Sequence, residues 1–300
     1  MNCELILIGG LAPRHRDRVR DFCLRANRAV YAEPLSGLRE DPRLGPILIR
    51  NERMLSRGNF ESVIRIGNVP TLRFWRDLDS SHINVTHYSD LPFAGLTRGE
   101  ILPIAALSPR ERAAEGRLRG LFAEDREKCG AFQKILHSEP QSELAMFRAL
   151  SHQIPSGARI YLGNSLPIRE WDLAATREPK NFTIEANRGA NGIDGQLSTF
   201  LGWCSGDNNW CIICDLTAIY DMNAPWIVPQ LDAKFRIVII NNGGGKIFRR
   251  LPLRRLDLIE NAHDLRFDAW ARMWNIDVIE LRPDADASRR AWEKYDALWR

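Results

Sequence analysis

Trp210-Cys211-Ile212-Ile213-Cys214-Asp215 and, one helical segment later, Arg236-Ile237-Val238-Ile239-Ile240-Asn241-Asn242-Gly243-Gly244-Gly245 are the stretches on which the fold turns. Each is a continuous apolar run that stops abruptly at polar residues, the pattern of a central parallel strand covered on both faces. The segment between them, through Met222 to Gln230, reads as helical. Asp215 and Asn242 are therefore 27 residues apart, about one strand–helix–strand crossover. Both polar clusters then lie at the carboxyl ends of neighbouring strands, where open α/β sheets bind ligands.

Outward from this pair the same alternation continues. Arg159-Ile160-Tyr161-Leu162 and Phe182-Thr183-Ile184-Glu185 read as two further strands of the second half. The first half carries Leu5-Ile6-Leu7-Ile8, Ala29-Val30-Tyr31-Ala32, Ser62-Val63-Ile64-Arg65-Ile66 and Ile83-Asn84-Val85-Thr86, with a polar helix from about Pro13 to Asn27. The fold class is thus α/β: two domains with parallel sheets flanked by helices. Ser138-Glu139-Pro140-Gln141-Ser142 breaks a charged helical stretch, which puts the boundary between domains 1–137 and 138–300, with a new helix starting near Ser142 and Glu143. Gly9-Gly10 after the first strand suits a dinucleotide fold, but any tight strand-to-helix turn can use glycine.

Composition narrows the function classes. Of 300 residues, 44% are hydrophobic and 27% charged, the balance of a globular protein, and no run is apolar enough to span a bilayer. Met1 to Ile8 has no basic n-region and no cleavage site, so a cytoplasmic location is expected. The net charge of +4 is slight, and the arginines of Arg14–Arg20, Arg110–Arg119 and Arg249–Arg255 are interspersed with acids or apolar residues. Neither nucleic acid nor membrane is expected as a partner. Cys211-Ile212-Ile213-Cys214 has CxxC spacing, yet on a strand residues three apart face opposite ways, so these read as core cysteines.

Asp215, the Asn242 amide oxygen and a backbone carbonyl of the glycine run are hard oxygen ligands of the kind that suit Mg²⁺ bridging to a diphosphate. Glycines there let backbone N–H groups approach the phosphates. The same residues also fit a helix N-cap followed by an ordinary loop.

An acid followed 27 residues on by the second asparagine of a pair resembles the thiamine-diphosphate signature. Four blocks resemble, more narrowly, the 2-succinyl-5-enolpyruvyl-6-hydroxy-3-cyclohexene-1-carboxylate synthases, carboligases of the menaquinone pathway. They are Gly163-Asn164-Ser165-Leu166-Pro167-Ile168-Arg169; Asn187-Arg188-Gly189-Ala190-Asn191-Gly192-Ile193-Asp194-Gly195; Asp215-Leu216-Thr217 through Asp221-Met222-Asn223-Ala224; and Asn241-Asn242-Gly243-Gly244-Gly245-Lys246-Ile247-Phe248. Ala32-Glu33-Pro34-Leu35-Ser36-Gly37-Leu38-Arg39 and Arg65-Ile66-Gly67-Asn68-Val69-Pro70-Thr71 extend the likeness to the first domain.

The resemblance implies a thiamine-diphosphate-binding fold, with residues 1–137 as the family's middle domain and 138–300 as its diphosphate domain. Asp215, Asn242 and the Gly244 carbonyl would hold Mg²⁺ on the cofactor diphosphate, with Leu216 also at a cofactor position. Ile247 and Phe248 would pack near the thiazolium, or simply belong to the core. In that family the cofactor decarboxylates 2-oxoglutarate and adds the succinyl unit to isochorismate. Arg169 and Arg188 match positions that bind the substrates' carboxylates, Ser165 could donate a hydrogen bond beside them, and Arg73 falls where a basic residue reaches in from the middle domain.

Three departures accompany the likeness. Cys214 stands where the family has glycine before the metal-binding aspartate. The pyrimidine-binding domain, which carries the glutamate that activates the cofactor, would precede Met1, so no catalytic residue is assigned in this chain. The chain also stops before the family's last strand and helix. Turnover is therefore expected only with a separate pyrimidine domain, and the expected protein partner is a pyrimidine-domain chain or a homo-oligomer. A non-catalytic scaffold of the same fold, or a carboligase with another 2-oxo acid, are the alternatives.

Overall fold

The computed structural model describes residues 4–93, 95–109, 111–113, 118–189, 191–250 and 254–300. Met1 to Cys3, Ala190 of the Asn187–Gly195 block, and parts of the Arg110–Arg119 and Arg249–Arg255 stretches lie outside the described residues. The chain divides into two compact units. The first comprises Met1–Lys134, Arg177–Pro179 and Asp296–Arg300, and the second Ile135–Thr176 and Lys180–Tyr295.

The first unit holds strands β1 (Glu4–Ile8), β2 (Ala29–Ala32), β3 (Ser62–Ile66), β4 (Asn84–Tyr88) and β5 (Ile101–Leu102), with helices α1 (Arg16–Ala26) and α2 (Arg73–Asp77). The strands form one sheet in the order β2-β1-β3-β4-β5, and every pairing is parallel. Side chains alternate across a strand. Ile6, Ile8, Ile64 and Ile66 therefore face Val19, Phe22 and Cys23 of α1, while Leu5, Leu7 and Val63 pack with Trp75 of α2. β1 is apolar on both faces because both are covered. α1 ends at Asn27, which takes the left-handed conformation at φ 50°.

Gly9 and Gly10 serve this packing. Asn68 N–H bonds to the Gly10 carbonyl at 2.7 Å and Gly9 N–H to Ile66, so the chain leaving β3 lies directly on the turn that leaves β1. A Cβ on Gly9 would sit 2.1 Å from the Asn68 carbonyl oxygen. Gly9→Ala is expected to destabilise the first unit by about 1–3 kcal/mol, seen as an earlier urea transition. A transition at the wild-type midpoint would show that the two segments can separate without cost. The two first-unit blocks of the resemblance also meet here, where the Glu33 carboxylate accepts the Thr71 N–H at 2.6 Å.

α3 (Arg119–Ser138) runs across the division, which falls after Lys134. The second unit continues with α4 (Glu143–Gln153), β6 (Arg159–Leu162), α5 (Leu166–Ala174), β7 (Thr183–Glu185), α6 (Gln196–Trp203) and β8 (Gly206–Cys214). α7 (Asp215–Tyr220), β9 (Ala233–Ile240), α8 (Leu256–Ile259), α9 (Asp268–Trp274), β10 (Val278–Leu281) and α10 (Ala285–Ala297) complete it. Ser142 caps α4, its hydroxyl accepting the Ala145 N–H.

The second sheet is also parallel throughout, in the order β10-β9-β8-β6-β7. Cys211, Ile213, Ile237 and Ile239 form one core with Phe200 of α6 and Trp270 of α9; Ile212, Val238 and Ile240, alternate along the same strands, are equally buried. The two strands anticipated as central are so. β5, β10 and α10 were not anticipated, and β10 pairs with β9 from Val278 to Leu281. Among the described residues, no helix is long and apolar enough to cross a membrane.

Candidate diphosphate and metal site

In the second sheet the chain passes from β6 outward to β7, then returns to place β8 on the other side of β6. The strand order reverses between β6 and β8, and ligands bind open parallel sheets at the carboxyl ends beside such a point. β6 ends at Leu162, just before Gly163-Asn164-Ser165, and β8 ends at Cys214, just before Asp215. The four blocks that resemble the synthases come together here, each tied to the next.

Asn164 ties the first two. Its Nδ2 donates to the Gly192 carbonyl at 2.8 Å, its N–H goes to Gln196 Oε1, and its Oδ1 accepts from Arg188 Nη1 at 2.7 Å. Asp221 ties the second block to the third, its carboxylate accepting the N–H groups of Gly195, Leu197 and Ser198 at the start of α6. Asp215 ties the third block to the fourth, its Oδ2 accepting Gly243 N–H at 2.8 Å and Gly244 N–H at 2.9 Å. Its Oδ1 accepts the adjacent Leu216 N–H. Asp215 is thus the first residue of α7, with Cys214 in the cap position, and holds the glycine loop rather than capping a helix alone.

The Asn-Asn pair splits its work. Asn241, buried, donates to the Leu265 carbonyl and to Glu280 of β10, knitting the end of β9 to its neighbour. Asn242 turns the other way, and its Nδ2 donates to both carboxylate oxygens of Glu143, at 3.1 and 3.0 Å. Its Oδ1 is buried and has no hydrogen-bond partner among the described residues. An unsatisfied buried acceptor costs about 1–3 kcal/mol, so this oxygen awaits a donor or a cation. The Gly244 carbonyl accepts the Lys246 N–H at 2.9 Å, which leaves its second lone pair. Asp215 uses three of roughly four acceptor positions. An Asp oxygen, an amide oxygen and a carbonyl oxygen are a hard donor set that fits Mg²⁺.

The glycine loop is strapped from below. Gly245 N–H bonds to the Glu260 carbonyl at 2.6 Å, and the Glu260 carboxylate pairs with Lys246 and Arg249. His263 Nε2, inside the site, stands 3.4 Å from Asp215 Oδ2. Ile247 and Phe248 lie on the 3-10 turn Lys246–Arg250, both half-buried, and Leu216 is buried. Cys214 places its Sγ 3.2 Å from Thr217 Oγ1, and burial pushes its thiol up to about 11, so it remains neutral.

Ser165 has φ 71° and ψ −129°, rarely populated by any residue but glycine, immediately ahead of α5. Such backbone strain costs on the order of 1–3 kcal/mol and concentrates at ligand sites. Arg169, exposed, donates to the Ser165 carbonyl at 2.6 Å, and Arg188 is half-buried against Asn164. Arg73 belongs to the first unit, where it opens α2, exposed and ion-paired with Asp77.

The sequence reading missed the acids behind the site. Glu143 is 4% exposed, and burial, together with the nearby Asp215 charge, raises its pKa to about 7. Glu170 of α5 is also buried, and burial first, Glu143 second, raises its pKa well above the carboxylate range. It keeps its proton in the folded chain where the unfolded chain has lost it. Stability should therefore fall as pH rises from the unfolded value near 4.3 toward the raised folded value, by up to about 1.4 kcal/mol per pH unit. Glu170→Gln is expected to flatten this slope in urea unfolding between about pH 6 and pH 8. Equal slopes for variant and wild type would show that Glu170 titrates normally.

No family model matches the chain. Among curated proteins, it is 37% identical to the 2-succinyl-5-enolpyruvyl-6-hydroxy-3-cyclohexene-1-carboxylate synthase of Bdellovibrio bacteriovorus over 99% of its own length and 62% of that protein's. It is 36% identical to the synthase of the same name from Akkermansia muciniphila, over 94% of the chain and 55% of the relative. The chain belongs to this synthase family. A Roseiflexus member is 34% identical over 72% of the chain. The chain spans about three-fifths of the length of the first two synthases, so activity of the whole enzyme is a separate question from family.

Proposed function

We propose that the second unit holds Mg²⁺ and the diphosphate of thiamine diphosphate for a carboligase that takes 2-oxoglutarate and isochorismate in menaquinone biosynthesis. The observation that carries this reading is the unpartnered, buried Asn242 Oδ1 beside the glycine loop that Asp215 holds. Asp215, Asn242 and the Gly244 carbonyl would ligate the metal, and the loop would receive the diphosphate. A Cβ on Gly244 would lie 2.5 Å from the Glu260 carbonyl oxygen, so the loop needs glycine there to lie against that backbone. When bound, thiamine diphosphate supplies the carbon nucleophile that decarboxylates a 2-oxo acid and carries the acyl unit.

The residues of this chain bind and orient. Arg169 and Arg188, gathered around Asn164, supply fixed positive charge for dicarboxylate substrates, where bidentate guanidinium contacts give both energy and direction. Ser165 offers a hydroxyl at the start of α5. Ile247 and Phe248 border the loop and would limit water near the reacting carbon. In the domain assignment we propose, the first unit is the middle domain and the second the diphosphate domain. The group that activates the cofactor would come from a pyrimidine-binding domain, which these 300 residues do not include.

The test is a calorimetric titration of the chain with thiamine diphosphate, in Mg²⁺ and then in EDTA. Mg²⁺-dependent binding supports the site, and 2-oxoglutarate decarboxylation on adding a pyrimidine domain would support the activity. No binding even with that domain present would leave a scaffold.

A further inference from the structure

Glu143 forms hydrogen bonds that nothing in the site's first layer explains. It is the first residue of α4, its carboxylate is almost wholly buried, and both its oxygens accept from one nitrogen, Asn242 Nδ2. A carboxylate at such a position is costly compared with an apolar side chain of similar size. What it achieves is directional. Both Glu143 oxygens accept from the amide nitrogen, so the amide presents its NH₂ to Glu143 and its oxygen to the other side. Were the amide turned over, its oxygen would face the two carboxylate oxygens. That other side is where Oδ1 stands buried and unpartnered. The next two residues, Gly243 and Gly244, give their N–H groups to Asp215, so the amide oxygen and the Asp215 carboxylate belong to one short span of chain.

We infer that Glu143 is a positioning residue for the metal: it locks the Asn242 side chain so that Oδ1 is committed to the cation before the cation arrives. The inference rests on the diphosphate-site reading above. Partners of this kind fix ligand orientation, and their loss typically costs about 10- to 100-fold in metal affinity. Among the described residues no other side chain bonds to the Asn242 amide, so without Glu143 it could rotate freely between orientations, half of which offer the metal a donor instead of an acceptor.

The experiment uses the full chain, with Mn²⁺ as the metal probe, followed by electron paramagnetic resonance in saturating thiamine diphosphate. Two variants are compared with the wild type. Glu143→Leu removes the acceptors and the buried charge together, and is expected to weaken Mn²⁺ about tenfold or more while the melting temperature is unchanged or raised. Glu143→Gln keeps one carbonyl oxygen for Asn242 Nδ2, and is expected to hold Mn²⁺ within about threefold of wild type. A merely structural Glu143 would instead show a lowered melting temperature in the leucine variant. Leucine-variant affinity equal to wild type overturns the inference and leaves the site reading standing. Failure of the wild-type chain to take up Mn²⁺ with thiamine diphosphate, even with a pyrimidine domain supplied, overturns both.

Discussion

Replacing Asp215 with alanine is expected to abolish Mg²⁺-dependent thiamine diphosphate binding and to destabilise the second unit as well. The two losses have one origin. The carboxylate is fully buried and accepts three backbone N–H groups, from Leu216, Gly243 and Gly244. Alanine removes the anionic metal ligand and leaves those donors unsatisfied, at a cost on the order of 3 kcal/mol. Binding should weaken by at least about 100-fold, beyond what an outer-layer partner contributes. Asp215→Asn separates the effects, because its amide oxygen can still accept from the loop while the charge is gone. Its expected phenotype is a stability between alanine and wild type, since only the Leu216 N–H loses its acceptor, with binding nearly as poor as alanine. Calorimetry with thermal unfolding reads both, and an alanine variant that binds Mg²⁺ and cofactor normally removes Asp215 from the metal site.

The second large effect is expected at Gly244. Its φ is 126°, and a Cβ there would come within 2.5 Å of the Glu260 carbonyl oxygen and 3.0 Å of that of Asn261. Both obstacles are backbone, held by the Gly245-to-Glu260 hydrogen bond, so they cannot swing aside as a flexible side chain would. Gly244→Ala should therefore shift the loop, costing about 3 kcal/mol of stability, and displace the carbonyl assigned to the metal. Thiamine diphosphate affinity is expected to fall by more than about tenfold. Gly202→Ala is the control, since none of the described residues comes within 4 Å of a Cβ in that turn of α6. That change should be neutral or stabilising, by up to about 1 kcal/mol. Equal behaviour of the two variants would mean that the loop near Gly244 is soft.

Much of this site was legible before any coordinates. Asp215 and Asn242 stand out because a buried strand must end where its apolar run ends, and a strand–helix–strand crossover sets the distance between two such ends. The start of α4 was legible for a similar local reason, Ser142 being a strong N-cap. β10 was not. Val278-Ile279-Glu280-Leu281 is half-buried at the sheet edge, and Glu280 interrupts its apolar pattern in order to hold Asn241 and the Phe267 N–H. A strand whose polar residue is recruited by a neighbouring loop carries no periodic signal of its own. β5, two residues long, is too short to have one.

The sequence by itself determined the elements and the ends of the central strands, because strand and helix periodicity is written in local apolar spacing. It also determined that a carboxylate, an amide and a glycine run would stand at neighbouring strand ends. Only the tertiary structure decided how those groups are held. Glu143 reaches Asn242 across 99 residues, His263 faces Asp215, and Asp221 caps α6 at Gly195. Those pairings depend on the strand order β10-β9-β8-β6-β7, which brings α4, the turn after β6 and the loop after β9 to one edge. Residues far apart in the chain show no pattern in one sequence. What joins them is the burial of polar groups that must find partners once water is excluded.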